Sequence, residues 1–524
     1  MGLPNVNRAE SGLVGPREVE LKLRLPPGSR AALEASSVFA AVKAKKLYQV
    51  TTYFDTPDSL LDRAGLTLRV RRSGNTRIQT VKARAKCLGV ATSRGEWEWR
   101  IDQDLPDVGR LADTAELAKA ARAIKGKLEP VFVTDIRRTV RVLHLAGHTV
   151  VEAAIDEGSI KAGLAHEPVS ELELELKSGR IEAVYRLAAE LHAIAPLWIS
   201  PESKSARGWH LRSGQTEGAQ KASTPELGPR MRAADGFHEI IDGTLGHLMA
   251  NIGPTLRGDI EGVHQMRIAL RGSRAALKLF ERDLDAAAAG QFNAALVRFA
   301  QIFGTARDWD VFCLETLPAA TTDLPTARLR DLNPVAEVQR QVAHAAVGDA
   351  VRGQDFTALL LGLAAWVEAG VAQPRTIGDD RMGMRLRTVA PSLLDRVAGK
   401  VNKRGRHAAR LSAEELHSLR KSLKKLCCDV GYLAGLYRRR SVNAYVGRCE
   451  DLLEMLGVAN DAMVTQRLAP TLVTDSRPDL AKPADALAKW SARRGRKALQ
   501  GLKGALRDFR ATPAFWSQVS IVKP

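Results

Sequence analysis

The stretch Glu18-Val19-Glu20-Leu21-Lys22 opens the first part of the chain that has a regular pattern. Side chains alternate between the two faces of a β-strand, so Glu18, Glu20 and Lys22 share one face, and Val19 and Leu21 share the other. One face is apolar and the other is fully charged. The pattern predicts a strand that packs on a core with its apolar face only.

The same alternation recurs in Leu68–Arg71, Thr80–Arg84, Glu96–Arg100 and Glu171–Glu175. A single strand of this kind is typical of an ordinary antiparallel sheet with one solvated face. Five such strands, some acidic and some basic, instead favour a barrel or a strongly curved sheet with its charges turned inward. Because a buried unpaired charge costs several kcal/mol, such an interior needs bound ions. A polyanion together with a divalent metal would balance both signs.

Length and composition indicate a globular protein of more than one domain. The chain has 524 residues, which is too many for one compact core, and 45% of them are hydrophobic. The formal net charge is +19 and the sequence pI is about 9.9, so the chain should attract a polyanion such as nucleic acid, an anionic membrane or polyphosphate.

The cysteines and the lengths of the apolar runs predict the cellular compartment of the protein. Five cysteines occur without a Cys-x-x-Cys pair, so we interpret them as reduced thiols: Cys87, Cys313, Cys427, Cys428 and Cys449. No apolar run approaches the roughly 18 residues of a membrane-spanning helix, and the first residues lack the apolar core of a signal peptide. These features predict a cytoplasmic protein that does not bind a membrane.

The pattern changes along the chain predict its domain organisation. We expect a flexible leader over residues 1–15, a strand-rich domain over 16–212 and a linker over 213–230 that is rich in Gly, Ser, Thr and Pro. From 231 to about 515 the sequence is rich in Ala, Leu and Arg with a period of 3.6, which predicts an all-α domain. The chain is therefore predicted to be an α+β multi-domain protein.

The helical part contains an internal repeat. The segment from Glu261 to Arg271 is echoed by Glu415 to Lys424, and each copy carries a His-x-x-Arg pattern. Downstream, Arg307-Asp308 is echoed by Asn460-Asp461 at a similar offset. Two matched landmarks in the same order predict a duplicated helical bundle.

A basic stripe follows one face of the first helix in each copy. The spacings of three and four residues place these side chains in one row: His264, Arg267, Arg271, Arg274 and Lys278 in the first copy, and His417, Arg420 and Lys424, with Lys421 beside them, in the second. Like charges at these spacings favour an opposing anion. The alternative is a solvated surface stripe, neutralised in part by Asp308, Asp310 and Asp461. Neither histidine has a second histidine at i+4, so a metal site is not expected there.

The strand-rich motifs resemble the CYTH superfamily, the triphosphate tunnel metalloenzymes. The resemblance begins with Glu18-Val-Glu20-Leu-Lys22 and extends in order to Ser203-Lys204 through these segments: Tyr53–Thr56, Leu68–Arg71, Thr80–Lys82, Glu96/Glu98, Asp156 and Glu171–Glu175. The duplicated half resembles the CHAD domain, a basic helical module associated with polyphosphate binding. The resemblance implies an antiparallel eight-stranded β-tunnel with flanking helices, followed by an all-α duplicated helical bundle.

The resemblance also implies the site residues. Carboxylates would hold Mg²⁺ or Mn²⁺, hard cations that prefer oxygen ligands: Glu18, Glu20, Glu171, Glu173 and Asp156. Cations would bind the phosphate oxygens of inorganic triphosphate: Lys22, Arg69, Arg71, Lys82, Arg138 and Lys204. Glu20, Lys22 and Lys82 would be catalytic. The neighbours Arg137 and Arg141 leave the register of Arg138 open, and Arg84 and Glu175 are further candidates.

The activity implied is hydrolysis of tripolyphosphate to pyrophosphate and phosphate, with the CHAD half binding long-chain polyphosphate, including that of polyphosphate granules. Three alternatives stay open. The tunnel would act on an organic triphosphate, as thiamine triphosphatase or adenylate cyclase does, if Trp97 or Trp99 stacked on a ring, although alternation places both on the outer apolar face. Both halves would merely bind polyphosphate in a granule protein without catalysis. The basic helices would bind nucleic acid, which the scarcity of aromatic residues along the stripes disfavours.

Overall fold

The computed structural model describes residues 17–124, 127–371, 381–406 and 411–517, so the predicted leader over 1–15 lies outside the described residues. The described residues fall into two compact units. The first takes its residues from Met1–Gly218, Ile252–Pro254 and Arg352–Ala369. The second takes its residues from Ala219–Asn251, Thr255–Val351 and Gly370–Pro524.

The first unit is built on a closed antiparallel barrel. Its described strands are β1 (Arg17–Arg24), β2 (Lys45–Asp55), β3 (Leu66–Ser73), β4 (Thr76–Ala83), β5 (Lys86–Leu88), β6 (Ala91–Ile101), β7 (Glu129–Leu145), β8 (Thr149–Ala162), β9 (Ala165–Ser178) and β10 (Trp198–Ile199). Strand β1 pairs with β9 on one side and with β6 on the other, which closes the order β1-β9-β8-β7-β2-β3-β4-β6. The predicted eight-stranded barrel is therefore confirmed.

Helices cover the outside of this barrel. They are α1 (Ser29–Ala35), α2 (Ser37–Ala40), α3 (Leu60–Arg63), α4 (Val108–Ala112), α5 (Ala118–Ile124), α6 (Ile181–Ile194), α7 (Lys204–Ser213) and α13 (Gln354–Ala369), which comes from much later in the chain and packs on α6. Outward residues such as Leu68, Val81 and Trp97 bury their apolar surface with Leu111 and Ile124. The core thus lies between the barrel wall and the helices, and the polar faces of the strands turn inward.

Trp97 and Trp99 belong to that outer core. Trp97 is 8% exposed within the apolar cluster, and Trp99 packs against the cluster from its edge. The prediction that both indoles face outward is confirmed.

The second unit is mostly helical, as predicted. Its helices come from α8 (Ala233–Leu256), α9 (Ile260–Leu279), α10 (Ala286–Val311), α11 (Leu317–Asp323), α12 (Asn333–Arg352), α14 (Leu386–Arg404), α15 (Ala413–Leu433), α16 (Arg439–Leu468), α17 (Ala481–Ala498) and α18 (Leu502–Ala511). Helices α9 and α10 pack together, as do their repeat equivalents α15 and α16, and α9 also packs against α15. The first helices of the two sequence repeats are therefore neighbours.

None of the helices in the described segments combines the length and the apolar character that crossing a lipid bilayer would require.

Candidate functional site

The barrel encloses a cavity of about 270 Å³ whose lining is dominated by charge. Eight cationic side chains line it, namely Lys22, Arg69, Arg71, Lys82, Arg94, Arg138, Lys177 and Lys204. Eight carboxylates also line it, namely Glu18, Glu20, Glu96, Glu98, Glu152, Asp156, Glu173 and Glu175. The formal charges of the lining therefore cancel.

Strand register brings the opposite charges side by side. In β1, Lys22 lies opposite Glu173 of β9, and Glu18 lies opposite Arg94 of β6. Between other strands, Lys82 lies opposite Glu96, and Arg138 lies opposite Asp156. Because side chains directly opposite each other on one face are in contact range, the register places these four pairs of opposite charges side by side.

One acidic corner of the cavity is formed by Glu18 and Glu20. Lys82 Nζ donates to both carboxylate oxygens of Glu18 at 2.8 Å, and Arg94 Nε donates to Glu18 Oε2 at 2.7 Å. Arg94 also reaches Glu20, which is ion-paired to Lys22 as well. Burial by itself would raise the pKa of Glu18, but the charges of Arg94, Lys82 and Lys22 outweigh it and hold the pKa well below its usual value. Burial likewise opposes ionisation of Glu20, yet Lys22 and Arg94 hold its pKa below the usual value, so both glutamates are anionic.

The second acidic corner is formed by Asp156, Glu171 and Glu173, whose ligand oxygens all lie within 4.8 Å of one another. Arg138 donates to Asp156 Oδ1 at 2.7 Å and to Glu173 Oε2 at 2.6 Å. Lys204 Nζ lies 2.7 Å from Asp156 Oδ2 and 3.0 Å from Glu173 Oε1, and it also pairs with Glu171. Burial opposes ionisation of Glu173, yet Lys204 and Arg138 hold its pKa well below the usual value.

Helix α7 delivers Lys204 to this corner. The Ser203 side chain caps the helix by accepting a hydrogen bond from the Ala206 amide, which fixes the first turn. Arg207, one turn later, donates to Glu171 Oε2 at 3.1 Å. Glu171 is 1% exposed between Lys204 and Arg207 and is the predicted metal ligand that lies outside the cavity lining.

The arginines of β3 lie beside the first corner. Arg69 Nη2 is 3.7 Å from Glu96, and Arg71 Nη2 donates to Glu98 at 3.2 Å. The buried Nε of Arg69 has no hydrogen-bond partner among the described residues, whereas buried polar groups are normally hydrogen-bonded. Burial lowers the pKa of Lys82 to about 8, and the positive charges of Arg94 and Arg69 add to the effect.

The carboxylates fit a divalent cation. Three converging carboxylates at the second corner supply only oxygen ligands, the type that Mg²⁺ and Mn²⁺ prefer. In the protein alone, Arg138 and Lys204 occupy these oxygens. A metal bound there would displace both cations from these oxygens.

The structure resolves the arginine register and adds residues that the sequence interpretation missed. Arg138 lines the cavity, whereas Arg141 pairs with Glu34 outside it, and Arg84 is not in the lining. The additions are Arg94, Glu152 and Lys177. Arg94 shares its strand face with Glu96 and Glu98, so alternation along β6 was a signal for it.

In the helical unit, the stripes of α9 and α15 face each other. Burial lowers the pKa values of Arg267 and Arg420, and the positive charge of Arg271 lowers both further. Burial also lowers the pKa of Lys424 to about 7, together with the charges of Arg420, Arg271 and Arg267. These four residues therefore act on one another as a single group of cations, which we call the paired stripe.

Several buried nitrogens have no partner among the described residues: Nε of Arg271 and Arg420 within the paired stripe, and Nδ1 of His264 and Nε of Arg274 elsewhere on α9. Buried polar groups are normally hydrogen-bonded, so these nitrogens are exceptions within a cationic cluster. Two other predicted residues lie at its margins. Lys278 pairs with Glu281, and Lys421 is exposed.

The nearby acids neutralise the stripe only in part. Asp308 accepts from Arg467 at 2.8 Å and also faces Arg267, while Asp461 faces Arg420. Asp310 turns elsewhere and accepts from His344 Nε2 at 2.7 Å if that nitrogen carries the proton. On the second copy, His417 Nδ1 lies 3.0 Å from Asn460 Oδ1.

Comparison with known proteins gives matches to two family models. Residues 16–209 match the CYTH domain, and residues 239–470 match the CHAD domain. An inorganic triphosphatase from Haemophilus influenzae (strain ATCC 51907 / DSM 11121 / KW20 / Rd) is 30% identical over 201 residues, which are 38% of this chain and 56% of that protein. The chain thus spans about half the length of this curated relative.

Two solved structures are similar at lower identity. The CHAD domain from the plant Ricinus communis is 24% identical, with 56% of this chain and 97% of that chain covered and a TM-score of 0.48. A putative adenylyl cyclase from Hippeastrum, described as having a dominant triphosphatase activity, is 21% identical, with 37% and 96% covered and a TM-score of 0.29. From the two family matches, the chain carries a CYTH domain over residues 16–209, followed by a CHAD domain over residues 239–470.

Proposed function

We propose that the barrel hydrolyses inorganic triphosphate to pyrophosphate and phosphate with a divalent cation. The observation that carries this proposal is the lining of eight cations and eight carboxylates around a cavity of about 270 Å³. Cations alone would suffice to bind a polyanion. The carboxylates are explained if they bind metal ions, because the displaced Lys and Arg side chains could then bind phosphate. The curated relative described as an inorganic triphosphatase supports the same activity.

The side chains have distinct roles in this proposal. Glu18, Glu20, Asp156, Glu171 and Glu173 would hold Mg²⁺ or Mn²⁺, which supplies Lewis-acid polarisation of phosphoryl oxygens when bound. Arg69, Arg71 and Arg138 would bind the phosphate chain. A cavity carboxylate would orient the water that attacks the terminal phosphorus. Lys22, Lys82 and Lys204 would stabilise the charge that develops on the departing pyrophosphate, which takes the electron pair of the broken P–O bond.

The cavity favours an inorganic over an organic triphosphate. Trp97 and Trp99 lie in the outer core, and Tyr53 is the aromatic residue of the described lining. Phosphate release from tripolyphosphate, thiamine triphosphate and ATP should therefore be fastest for tripolyphosphate, and it should stop when EDTA removes the metal. Equal release with and without metal would contradict the proposal, and no release from any of the three would favour a protein that only binds polyphosphate.

We further propose that the paired stripe of Arg267, Arg271, Arg420 and Lys424 binds long-chain polyphosphate. The unpaired Nε atoms of Arg271 and Arg420 support it, as do the pKa values of Arg267, Arg420 and Lys424, which burial and the neighbouring cations lower. Binding of this kind would also draw the protein to polyphosphate granules in the cytoplasm. The test is competition between long-chain polyphosphate and DNA for the full chain, since α13 packs on α6 in the first unit and would lose that partner in a fragment of the helical half. Preference for DNA would overturn the proposal.

A further inference from the structure

The helical unit has a cationic cavity whose lining shares no residue with the paired stripe. It measures about 590 Å³ and is lined by Asp323, Val458, Trp490, Arg493, Arg494 and Lys497. The three cations come from the last two turns of α17, which begins after the CHAD family match ends at residue 470. Spacings of one, three and four residues place them on one side of the helix.

Two of the lining groups are held in place. The indole Nε1 of Trp490 donates to Asp323 Oδ2 at 2.9 Å, which fixes the ring. The guanidinium carbon of Arg494 lies 5.3 Å from the centroid of that ring, a cation–π distance. Arg494 is therefore presented at the cavity by its stacking partner, and a ligand would lose less conformational freedom of this side chain on binding.

The cavity has a net positive charge, and its cations are accessible to a ligand. Arg493, Arg494 and Lys497 are exposed, and none of them has a carboxylate within ion-pair distance among the residues that the structure describes. Asp323 is the acidic member of the lining, and its carboxylate already accepts from Trp490. Three cations against one carboxylate leave a net charge suited to phosphate groups.

We propose that this cavity is a second binding site for phosphate groups of a polyphosphate chain, which a long chain occupies together with the paired stripe. The proposal rests on polyphosphate binding by the stripe. Linking two sites through one ligand raises the apparent affinity only for chains long enough to span both sites. Short chains should therefore depend on the stripe alone.

The experiment measures binding of labelled short-chain and long-chain polyphosphate to the full-length protein in EDTA. A variant with Arg493→Gln, Arg494→Gln and Lys497→Gln should lose at least about tenfold in affinity for the long chain and leave short-chain binding within about twofold. The slope of log affinity against log salt for the long chain should fall by about 2. Lys497→Gln alone, which leaves the stacked pair intact, should give part of the loss.

The matched control removes the same charge elsewhere in this unit. Arg438, Arg439 and Arg440 are equally exposed at the start of α16 and lie outside the cavity. If their Gln variants weaken long-chain binding as much as the α17 variants do, only net charge matters and the second site is wrong. Equal loss for short and long chains would also overturn it. If the wild type does not bind long-chain polyphosphate at all, polyphosphate binding by the stripe is wrong, and the second site, which rests on it, is wrong as well.

Discussion

Lys22 lies between two carboxylates that belong to different corners of the cavity. It pairs with Glu20 on its own strand, and its Nζ is 3.9 Å from Glu173 on the neighbouring strand. Under the proposed function, metal binding to these glutamates would free the ammonium group for phosphate. The ammonium group of Lys22 thus interacts with carboxylates of both acidic corners.

Replacing Lys22 with Ala should lower kcat/KM for tripolyphosphate by about 100-fold or more, because one electrostatic contact to the transition state is lost. Glu20→Ala should cost a similar factor. Phosphate release under saturating Mg²⁺ measures both. Arg77→Gln is the control, since Arg77 pairs with Asp104 and is not in the cavity lining. Wild-type turnover of either active-site variant would refute the assignment.

Lys424 predicts a pH dependence of polyphosphate binding. Its pKa is lowered to about 7 by burial and by Arg420, Arg271 and Arg267, and a bound anion would raise that pKa again. Binding therefore takes up a proton above pH 7 and none well below it, where Lys424 is already protonated. Affinity should be constant at low pH and fall as the pH rises above about 7.

Titration calorimetry in buffers of different ionisation enthalpy would measure this proton uptake. Lys424→Arg keeps the charge at all these pH values and should remove most of the fall in affinity. A decline that is just as steep in the Arg variant would assign the pH dependence to another group.

Helix α7 shows how one element completes the cavity. It holds Lys204 and Arg207 against the second acidic corner, and it sits close to the barrel because Gly208 has no side chain. A Cβ atom at Gly208 would lie 2.3 Å from the ring of Phe132, which stacks on Tyr53 and packs edge-on against Trp209. The close approach of α7 to β7 therefore depends on this glycine.

Gly208→Ala should destabilise the protein by about 1–3 kcal/mol through overpacking, and it should lower triphosphatase activity by displacing Lys204. Thermal unfolding and phosphate release are the measurements. Gly290→Ala in α10 is the control, because its Cβ meets nothing within 4 Å and should leave stability unchanged or slightly raised. Equal effects of the two substitutions would mean that the contact with Phe132 relaxes without cost.

The two copies of the helical repeat bring their cations together. Helices α9 and α15 carry equivalent residues and pack against each other, so their cations merge into one paired stripe. Asp308 of the first copy accepts from Arg467 of the second, which ties the copies together next to that stripe. The duplication thus places cations from both copies in the paired stripe.

For the protein as a whole, the neutral lining of the barrel predicts that metal and triphosphate bind together. In EDTA each of the eight cations is ion-paired with a carboxylate, so a polyanion would have to break ion pairs without compensation. Tripolyphosphate with Mg²⁺ should raise the unfolding temperature well above the shift given by either alone, because only the loaded pair binds the native state tightly. Arg77→Gln should show the same shift as wild type. Full stabilisation by tripolyphosphate in EDTA would contradict the prediction.

Which side chains share one face of a strand follows from the sequence. Alternation is a local property with a period of two residues, so the sequence alone places Glu18, Glu20 and Lys22 on one inward face and Trp97 on the outer face. The 3.6-residue period likewise predicts the helical half and its cationic stripes. Arg94 is within reach of the same reasoning, since it alternates with Glu96 and Glu98.

Tertiary structure alone decided which charges meet. Barrel closure pairs β1 with β6 and β9, so Arg94 reaches Glu18 across 76 residues and Lys204 reaches Glu173 across 31. Arg138, not Arg141, enters the cavity, and α13 joins the first unit from far along the chain. Local periodicity fixes the face on which a side chain lies, whereas partners depend on long-range register and helix packing, which a single strand or helix does not contain.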